Sequence, residues 1–207
     1  MSDRPARPVL KWAGGKTQLL PEILKRLPGA IETYYEPFVG GAAVFFALAA
    51  QGRFKRAVLS DSNPELVGLY RALQRDVDGV IRALGKYRYD ESEYYRVRDS
   101  ALPRSPAARA ARLIYLNKTG YNGLYRVNRA GQFNVPFGRY RNPTICDADN
   151  LRAAARALRT AEVRVADFAR VSRAARAGDA VYFDPPYLPI SKTASFTAYD
   201  RHAFALL

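Results

Sequence analysis

Cysteine and histidine are nearly absent from this chain of 207 residues. One of each occurs, which leaves almost no room for a disulfide framework or for a zinc site made of Cys and His ligands. Cys146, between Ile145 and Asp147, has no histidine near it in sequence. Because a cysteine nucleophile needs an adjacent base or another activating group, cysteine-based catalysis is not favoured. No metal centre is predicted either.

Long apolar runs are also missing. No uninterrupted apolar stretch reaches the roughly 18 residues that a membrane-spanning helix needs. Residues 1–5 (MSDRP) lack the apolar centre of a secretory signal. A hydrophobic fraction of 48% nevertheless suffices for one substantial core. We therefore expect a folded cytoplasmic protein whose single core leaves room for an inserted subdomain.

Acidic residues are scarce relative to basic ones. The chain has 33 Lys and Arg against 19 Asp and Glu, a formal net charge of +14. For one domain of this size, such an excess favours a polyanionic partner such as nucleic acid. The alternative is that the arginines only solvate helix surfaces, and composition leaves that alternative open.

The stretch that most suggests chemistry is Asp184-Pro185-Pro186-Tyr187. It follows the apolar run 180–183 (AVYF), which predicts a short buried strand. Two consecutive prolines make the chain beyond it rigid and extended, without backbone donors. A carboxylate, backbone carbonyls and an aromatic ring therefore lie close together, a set that suits a flat heterocycle with an exocyclic amino group. The plainer interpretation is a strand that ends in a proline turn.

A glycine pair near the N-terminus predicts an anion site. Residues 8–17 (PVLKWAGGKT) end like a phosphate-binding loop, but Leu10 replaces the first glycine of that motif. What remains is a glycine turn that opens a helix over about residues 16–27. Backbone amides and the ammonium group of Lys16 at its start suit a carboxylate. Trp12, just before the turn, suits two alternative roles equally well, burial in the core or contact with a ligand.

Residues 34–51 predict the first βα unit of a nucleotide-binding sheet, with a strand, a glycine turn and an apolar helix. A second strand, 57–60, ends at Asp61, about 20 residues after Gly41, the spacing at which a carboxylate reaches ribose hydroxyls in such folds. The glycines do not form G-x-G-x-x-G, so the pattern favours an adenosyl group over a dinucleotide. Asp61 also suits a helix cap before Pro64.

The middle of the chain interrupts this α/β pattern. Helices are predicted over 64–75, 77–88, 92–102 and 106–117, and two β-rich runs around a glycine turn predict a hairpin within 117–140. Its exposed face would present side chains that suit base edges, phosphates and stacking. These are Tyr121, Asn122, Arg126, Gln132, Arg139, Tyr140 and Arg141. A solvated hairpin is the plainer alternative.

The α/β pattern resumes after this block. A helix over 149–159 carries arginines on one side, which suit either phosphates or solvent. A strand over 163–165 leads to Asp167 and Phe168, and a helix over 169–177 precedes the strand at 180–183. Beyond it, a loop is predicted over 188–199 and a helix cap at Asp200.

Four of these segments resemble the Dam-like family of DNA adenine-N6 methyltransferases. Three are short signatures, residues 11–16 (KWAGGK), 36–40 (EPFVG) and 184–187 (DPPY). The fourth, residues 117–140, resembles the target-recognition hairpin of the GATC-specific members almost continuously. The resemblance implies an α/β fold, namely a Rossmann-like S-adenosylmethionine-dependent methyltransferase sheet with an inserted helical and hairpin subdomain for DNA recognition.

The resemblance also implies cofactor-binding roles. Lys16 would bind the methionyl carboxylate of S-adenosylmethionine, with Trp12 beside it, and Asp61 would hold the ribose hydroxyls. Asp184 would lie at both the cofactor and the target base. The remaining pocket residues would come from the ends of two strands, and these are Glu36, Pro37, Phe38, Asp167 and Phe168.

Catalysis and DNA contacts follow from the same resemblance. The target adenine would leave the duplex, with Asp184 and the carbonyl of Pro185 accepting its two N6–H bonds and Tyr187 stacking on it beside Pro186. Methyl transfer would then need no metal and no covalent enzyme intermediate. In the hairpin, Arg126 matches the guanine reader. Other DNA-contacting positions match Tyr121, Asn122, Leu124, Pro136 and Tyr140.

The implied organisation is a discontinuous catalytic core around an insert. Residues 1–62 and 160–207 would form the core, and residues 63–159 the target-recognition subdomain, with the DNA-reading hairpin near 117–141. The family's sheet continues further than this sequence does, so we expect either a fragment or a truncated member.

We therefore predict an adenine-N6 methyltransferase acting on GATC in double-stranded DNA, in restriction–modification or in replication and repair. It would be cytoplasmic, associated with the nucleoid through DNA, and by default monomeric. Two alternatives stay open: an adenine methyltransferase with another short target, and a truncated, non-catalytic DNA-binding homologue.

Overall fold

Four parallel strands form the central sheet in the part of the chain that the structure describes. The structure is a computed structural model and describes residues 4–169 and 174–185. The strands are β1 (Ile31–Pro37), β2 (Phe54–Asp61), β3 (Ala161–Val165) and β4 (Ala180–Val181). Their order across the sheet is β3-β2-β1-β4, and this arrangement confirms the predicted α/β class with a Rossmann-like sheet.

The strand order reverses beside β1. From β1 the chain moves outward through β2 to β3, and then returns to the opposite side of β1 as β4. Tyr35 pairs with Val58 on one side and with Val181 on the other. The amide of Tyr182 donates to the carbonyl of Tyr35 at 2.9 Å and extends this pairing past β4. In open α/β sheets, ligands bind at such a reversal, beyond the carboxyl ends of the strands.

Burial on both faces explains why β1 and β2 are central. Tyr34 and Leu59 belong to the main hydrophobic core on one face. Tyr35 and Val58 pack together on the other face. Because successive side chains of a strand point to opposite faces, near-continuous apolar runs are what a parallel sheet covered on both sides requires.

Six α-helices accompany the sheet within the described residues, and each overlaps a predicted helix. They are α1 (Leu20–Arg26), α2 (Ala43–Ala50), α3 (Pro64–Leu84), α4 (Glu91–Asp99), α5 (Pro106–Thr119) and α6 (Ala148–Leu158). A single 3-10 turn, Tyr121–Gly123, follows α5.

The longest helix, α3, begins and bends where the sequence predicts. The side chain of Asn63, rather than that of Asp61 as predicted, accepts two first-turn amides, and Pro64 takes the first helical position, where no amide hydrogen bond is needed. At Asp76 the backbone leaves helical geometry, with φ −153° and ψ 66°. Its carboxylate then accepts an amide of the following turn at 2.8 Å. The helices predicted over 64–75 and 77–88 are therefore one kinked helix.

One continuous hydrophobic core joins the sheet to the helical block. Helix α3 packs against β2 and β3 as well as against α5 and α6. Helix α4 packs on α5, where the buried guanidinium of Arg112 donates to the carbonyls of Val97 and Arg98 at the end of α4. The helical block is thus packed directly on the sheet, and the division at residues 62/63 and 159/160 stays a prediction.

Residues 117–141 are less regular than the predicted hairpin, and we call them the 117–141 segment. Instead of two continuous strands, this segment has two isolated antiparallel bridges, Gly120 with Phe137 and Val127 with Phe133. Proline at 136 has no amide to donate to a ladder, which is one reason why the pairing does not continue.

Two predicted helices differ from the structure at their ends. Helix α1 begins at Leu20 rather than near Lys16, because residues 17–19 form turns, with the amide of Leu19 donating to the carbonyl of Lys16. The helix predicted over 92–102 ends at Asp99, since the next residue is already extended.

The C-terminal predictions are only partly covered. Residues 174–177, predicted as the second half of a helix, form turns and loop that continue to β4, and β4 itself covers two of the four residues predicted as a strand over 180–183. Residues 170–173 lie outside the described residues, and so do Pro186, Tyr187, the predicted loop at 188–199 and the predicted cap at Asp200.

Candidate functional site

The turn after β1 forms one wall of the candidate site. Phe38 and Ala42 have positive φ angles of 62° and 57°, and Gly40 has a φ of 45°. A Cβ atom on Gly40 would lie 2.8 Å from Cδ1 of Trp12, closer than real carbon atoms approach. Glycine at 40 is therefore required by conformation and by the direct contact between the turn and the Trp12 ring.

Two side chains hold the Gly40 peptide from opposite sides. Asp61, at the end of β2, accepts the Gly40 amide on Oδ2 at 3.2 Å and the Asn63 amide on Oδ1 at 3.0 Å. The hydroxyl of Tyr70, on α3, donates to the Gly40 carbonyl at 2.6 Å. Burial raises the pKa of Tyr70 well above its usual value, so this hydroxyl stays a donor. Because each carboxylate oxygen can accept a second bond, Asp61 can also receive ligand hydroxyls.

Lys16 and Asp184, remote in sequence, form an ion pair with 2.6 Å between Nζ and Oδ2. Their side chains are only 13% and 24% exposed. The same Nζ donates to the carbonyl of Gly14 at 2.5 Å. The pair therefore joins the glycine turn before α1 to the chain just beyond β4, at the point where the strand order reverses.

Glu36 lies beneath the turn rather than on its surface. It is 4% exposed, and its Oε2 accepts the hydroxyl of Tyr34 at 3.0 Å and the amide of Phe45, in the first turn of α2, at 3.1 Å. Burial raises the pKa of Glu36 to about 8 despite these two bonds, and the negative charge of Asp184 adds to the rise. Glu36 thus braces β1 against α2 as a largely neutral acid at pH 7, and Pro37 beside it is also buried.

Aromatic rings form a second wall at the ends of β3 and β4. Phe38 stacks on Phe168 with 5.4 Å between ring centroids, and Phe168 meets Phe183 edge-on at 6.5 Å. Phe168 and Phe183 are unusually exposed for phenylalanines, at 38% and 44%. Asp167 is exposed beside them, and its Oδ1 accepts the amide of Ala169 at 2.8 Å. Such a wall offers the planar apolar surface on which a purine stacks.

Trp12 lies between the turn after β1 and the 117–141 segment. Its ring stacks on Tyr125 at 5.3 Å between centroids, and its other contacts reach Gly40 and Gly41. Trp12 is half-buried at this junction, and its contact with a ligand stays a prediction.

The predicted DNA-contacting residues all lie on the 117–141 segment, with different exposure. Tyr121, Asn122, Arg126 and Pro136 are exposed, whereas Leu124 and Tyr140 are half-buried. The guanidinium of Arg126 donates to the side-chain and backbone oxygens of Asn134 at 2.8 and 3.0 Å. The hydroxyl of Tyr140 donates to the carbonyl of Gly120 at 2.8 Å. Both side chains are therefore held in place by their own segment.

Three features of this region had no signal in the sequence. The first is the contact between Lys16 and Asp184, which belong to two separate motifs. The others are the hydroxyl of Tyr70, which bonds to Gly40, and the buried side chain of Asn117, which bonds to Lys11 and Gly123. In each case the partner is set by tertiary packing, which local patterns do not report.

The donors and acceptors at this edge fit S-adenosylmethionine. The ammonium of Lys16 suits a carboxylate, the oxygens of Asp61 suit hydroxyls, and the rings of Phe38 and Phe168 suit a purine. Among the described residues, two buried polar atoms without a hydrogen-bond partner, Ser60 Oγ and Asn63 Nδ2, lie at the same end of β2. Within residues 4–169 and 174–185 there is no cluster of His, Cys, Asp and Glu that could hold a metal ion. The same ranges contain no helix long and apolar enough to cross a membrane.

The sheet is parallel, its strand order reverses beside β1, a glycine turn follows β1, and carboxylates lie at the carboxyl ends of β2 and β4. This arrangement is the fold class of the S-adenosylmethionine-dependent methyltransferases. The family model of the D12 class N6 adenine-specific DNA methyltransferases matches residues 12–206. The chain belongs to this family, which confirms the resemblance predicted from its motifs. It is an adenine-specific DNA methyltransferase, from a family that uses S-adenosylmethionine and acts on DNA.

Characterised relatives agree with this membership. The type II methyltransferase M.MjaIII of Methanocaldococcus jannaschii is 44% identical over 216 residues, covering 96% of this chain and 75% of the relative. The type II methyltransferase M1.LlaDCHI of Lactococcus lactis subsp. cremoris is 40% identical, covering 96% and 72%. The DNA adenine methylase of Escherichia coli (strain K12) is 41% identical, covering 97% and 72%.

Proposed function

We propose that this chain transfers a methyl group from S-adenosylmethionine to N6 of an adenine flipped out of duplex DNA, within the sequence GATC. The observation that carries the proposal is the Lys16–Asp184 pair, which brings the two predicted anchors together at the reversal of strand order. A cofactor carboxylate and a target base would then meet at one edge of the sheet.

The cofactor is proposed to lie along the carboxyl ends of the strands. Lys16, with Trp12 beside it, would hold the methionyl carboxylate and Asp61 the ribose hydroxyls, while Phe38, Asp167 and Phe168 would enclose the adenine. Glu36 and Pro37, buried beneath the turn, would shape that wall from below. When bound, S-adenosylmethionine supplies an electrophilic methyl group on a positively charged sulfur.

Asp184 is proposed to orient the target amino group. An ionised carboxylate only accepts hydrogen bonds, so Asp184 and the carbonyl of Pro185 would receive the two N6–H bonds. Those bonds draw the nitrogen lone pair out of conjugation with the ring and aim it at the methyl group, which is catalysis by positioning and electrostatics. After transfer, the surplus N6 proton would leave through Asp184 or solvent. Stacking by Tyr187 completes the proposal, and that residue lies outside the described part of the chain.

GATC is proposed as the target because of the 117–141 segment. Arg126, held by Asn134, presents a planar donor of the kind that pairs with the O6 and N7 of guanine. Exposed Tyr121 and Asn122 suit the gap left by a flipped base, and Leu124 suits a thymine methyl group. The net charge of +14 would add affinity for phosphates regardless of sequence.

The test is transfer of labelled methyl groups to two duplexes of equal composition, one with GATC and one with the site scrambled. We expect label on N6 of adenine in the GATC duplex only, reduced about 100-fold or more in Asp184→Ala. Equal labelling of both duplexes would overturn the target assignment. A folded protein that binds DNA but shows no heat with S-adenosylmethionine would overturn the enzymatic proposal and favour a DNA-binding homologue.

A further inference from the structure

Asn117, in the last turn of α5, bonds to the remote N-terminal segment at Lys11 and to the nearby backbone of Gly123 in its own 117–141 segment. Its side-chain oxygen accepts the amide of Lys11 at 2.9 Å. Its side-chain nitrogen donates to the carbonyls of Lys11 at 2.9 Å and of Gly123 at 2.7 Å. With only 1% of its surface exposed, Asn117 is a buried amide whose donors and acceptor pair with backbone from both sides.

Lys11 is fixed by more than these bonds. A Cβ atom on Gly123 would lie 2.6 Å from Cδ of Lys11, so the lysine stem is packed directly on the Gly123 backbone. The ammonium group of Lys11 lies 5.3 Å from the ring centroid of Tyr140. Residue 11 is thereby attached to the 117–141 segment by backbone and side chain together.

The next residue, Trp12, carries this attachment to the cofactor side. Its ring stacks on Tyr125 of the 117–141 segment and contacts Gly40 in the turn after β1. Gly40 is in turn bonded to Asp61, the proposed ribose ligand. A continuous set of contacts therefore runs from the 117–141 segment through Asn117 and Trp12 to the cofactor wall.

We propose that Asn117 is a positioning residue through which cofactor binding and recognition of the DNA site strengthen one another. The inference rests on the proposed function, since it takes the turn after β1 as a cofactor wall and the 117–141 segment as the DNA reader. Because Asn117 ties Lys11 and Trp12 to the 117–141 segment, the ligand that binds first would favour the arrangement of this backbone that the second ligand also binds. Without the Asn117 amide, the two sides would bind independently.

The chain offers a matched control in Gln74 on α3. Its side-chain nitrogen also donates to two backbone carbonyls, those of Leu158 and Ala161, each at 2.7 Å. This bridge joins α3 to the connection between α6 and β3, away from Trp12. Gln74→Ala therefore removes a comparable structural bond without touching the proposed link.

Trp12 is the single tryptophan of the chain, so its fluorescence reports from the proposed link itself. We would titrate S-adenosylmethionine with and without a saturating GATC duplex, in the wild type, Asn117→Ala and Gln74→Ala. The wild type is expected to bind the cofactor at least about 5-fold more tightly with the duplex present. Gln74→Ala should keep that ratio, whereas Asn117→Ala should bring it close to one.

A second variant protects the test against a folding defect. Tyr125→Leu keeps Asn117 but removes the ring on which Trp12 stacks, and it should lower the same ratio while leaving the Asn117 bonds in place. The proposal would be overturned if folded Asn117→Ala or Tyr125→Leu kept the wild-type ratio of cofactor affinities with and without the duplex. It would also be overturned if the wild type bound the cofactor equally well with and without the duplex. A wild type that binds no cofactor at all would instead overturn the proposed function, with which this inference would fall.

Discussion

The carboxyl edge of the sheet and the 117–141 segment are held in place by different means. At the edge, six residue pairs join β1 to β2, and the half-buried Asp61 and the buried Tyr70 fix the turn after β1. The 117–141 segment has only two isolated bridges. Tyrosine hydroxyls replace the ladder there, with Tyr94 donating to Val135 at 3.0 Å and Tyr89 to Gly138 at 2.6 Å.

This difference shows that a backbone can be held in one conformation without continuous strand pairing. A backbone that belongs to a sheet keeps its geometry through many shared bonds, whereas the 117–141 segment depends on a few side chains that reach it from helices. Loss of one such side chain should therefore weaken binding at one region and spare the other, when each ligand is titrated in the absence of the other. The following predictions use that separation.

The largest effect is expected for Lys16→Met, at the sheet edge. The change leaves the partly buried carboxylate of Asp184 without its ion-pair partner and removes the proposed cofactor anchor. Truncating one member of a buried charge pair typically costs about 2–5 kcal/mol, so S-adenosylmethionine should bind about 30-fold more weakly or worse, as calorimetry would show. DNA affinity should change little. The exposed Lys25, paired with Glu22, provides a control as Lys25→Met; equal loss in both variants would contradict the role of Lys16.

Glu36→Gln should change how stability depends on pH. Because burial raises the pKa of Glu36 to about 8, the folded state holds this proton when the unfolded state has lost it. The stabilisation that this proton gives to the folded state is complete below pH 4.5, the ordinary pKa of a glutamate, and is lost as the pH rises toward 8. Relative to the wild type, the free energy of unfolding of E36Q should therefore increase by about 2 kcal/mol or more between these two pH values.

Urea unfolding at pH 5 and pH 8.5 would measure this gain. Glu32, exposed on the same strand and paired with Lys55, supplies the control as Glu32→Gln, which should follow the wild type at both pH values. If E36Q also runs parallel to the wild type, then Glu36 is not a protonated brace at neutral pH.

Arg126→Ala should act on the 117–141 segment alone. Loss of the proposed guanine contact is expected to reduce the preference for GATC over a site with that guanine changed by about tenfold. Cofactor affinity should not change. Arg129→Ala, at an exposed position near the tip, should lower DNA affinity only in a salt-dependent, sequence-independent way. Competition binding with both duplexes separates the two outcomes, and an unchanged preference in Arg126→Ala would exclude it as a base reader.

The smallest effects are expected on removing two tyrosine hydroxyls, and each removal should weaken the binding of a different ligand. Tyr70→Phe removes the bond to Gly40 and should weaken S-adenosylmethionine binding, whereas Tyr94→Phe removes the bond to Val135 and should weaken binding of the GATC duplex. Each change is worth about 1 kcal/mol, roughly a fivefold loss for one ligand and none for the other. The same pattern of losses in both variants would show that the two regions are not held separately.

The elements of the sheet edge were predictable because local signals coincide there. Apolar runs that stop at Asp61 and Asp184 mark the strands and their ends, and Pro64 marks the start of α3. The irregular course of the 117–141 segment was not predictable, since its bridges depend on tyrosines of α4 and of the loop before it. The sequence pattern there indicates which residues can form strand pairs. Which of them pair is set by contacts with α4 and the loop before it.

The site was predicted as a set of residues but not as an arrangement. Lys16 and Asp184 were each assigned from their own motif, and no spacing rule joins positions so far apart. Glu36 was predicted to line the pocket, while the structure places it under the turn because its carboxyl group meets the first turn of α2. Asn117 shows the general limit, since a buried amide gains its partners only when α5 packs on the N-terminal segment.

The strand β4 also bears on the order in which the protein folds. Its pairing with β1 brings together Tyr35 and Val181, which the whole helical block separates along the chain. Contacts of such long range are costly in chain entropy and form late. We infer that the helical block forms first, that the long-range pairings of β2 with β3 and of β1 with β4 follow, and that Asp184 reaches Lys16 in one of the last steps. Pulsed hydrogen exchange at the Tyr182 amide would time this step; protection as early as in α3 would refute it. A newly made chain would then acquire the proposed DNA-reading segment before the proposed catalytic site.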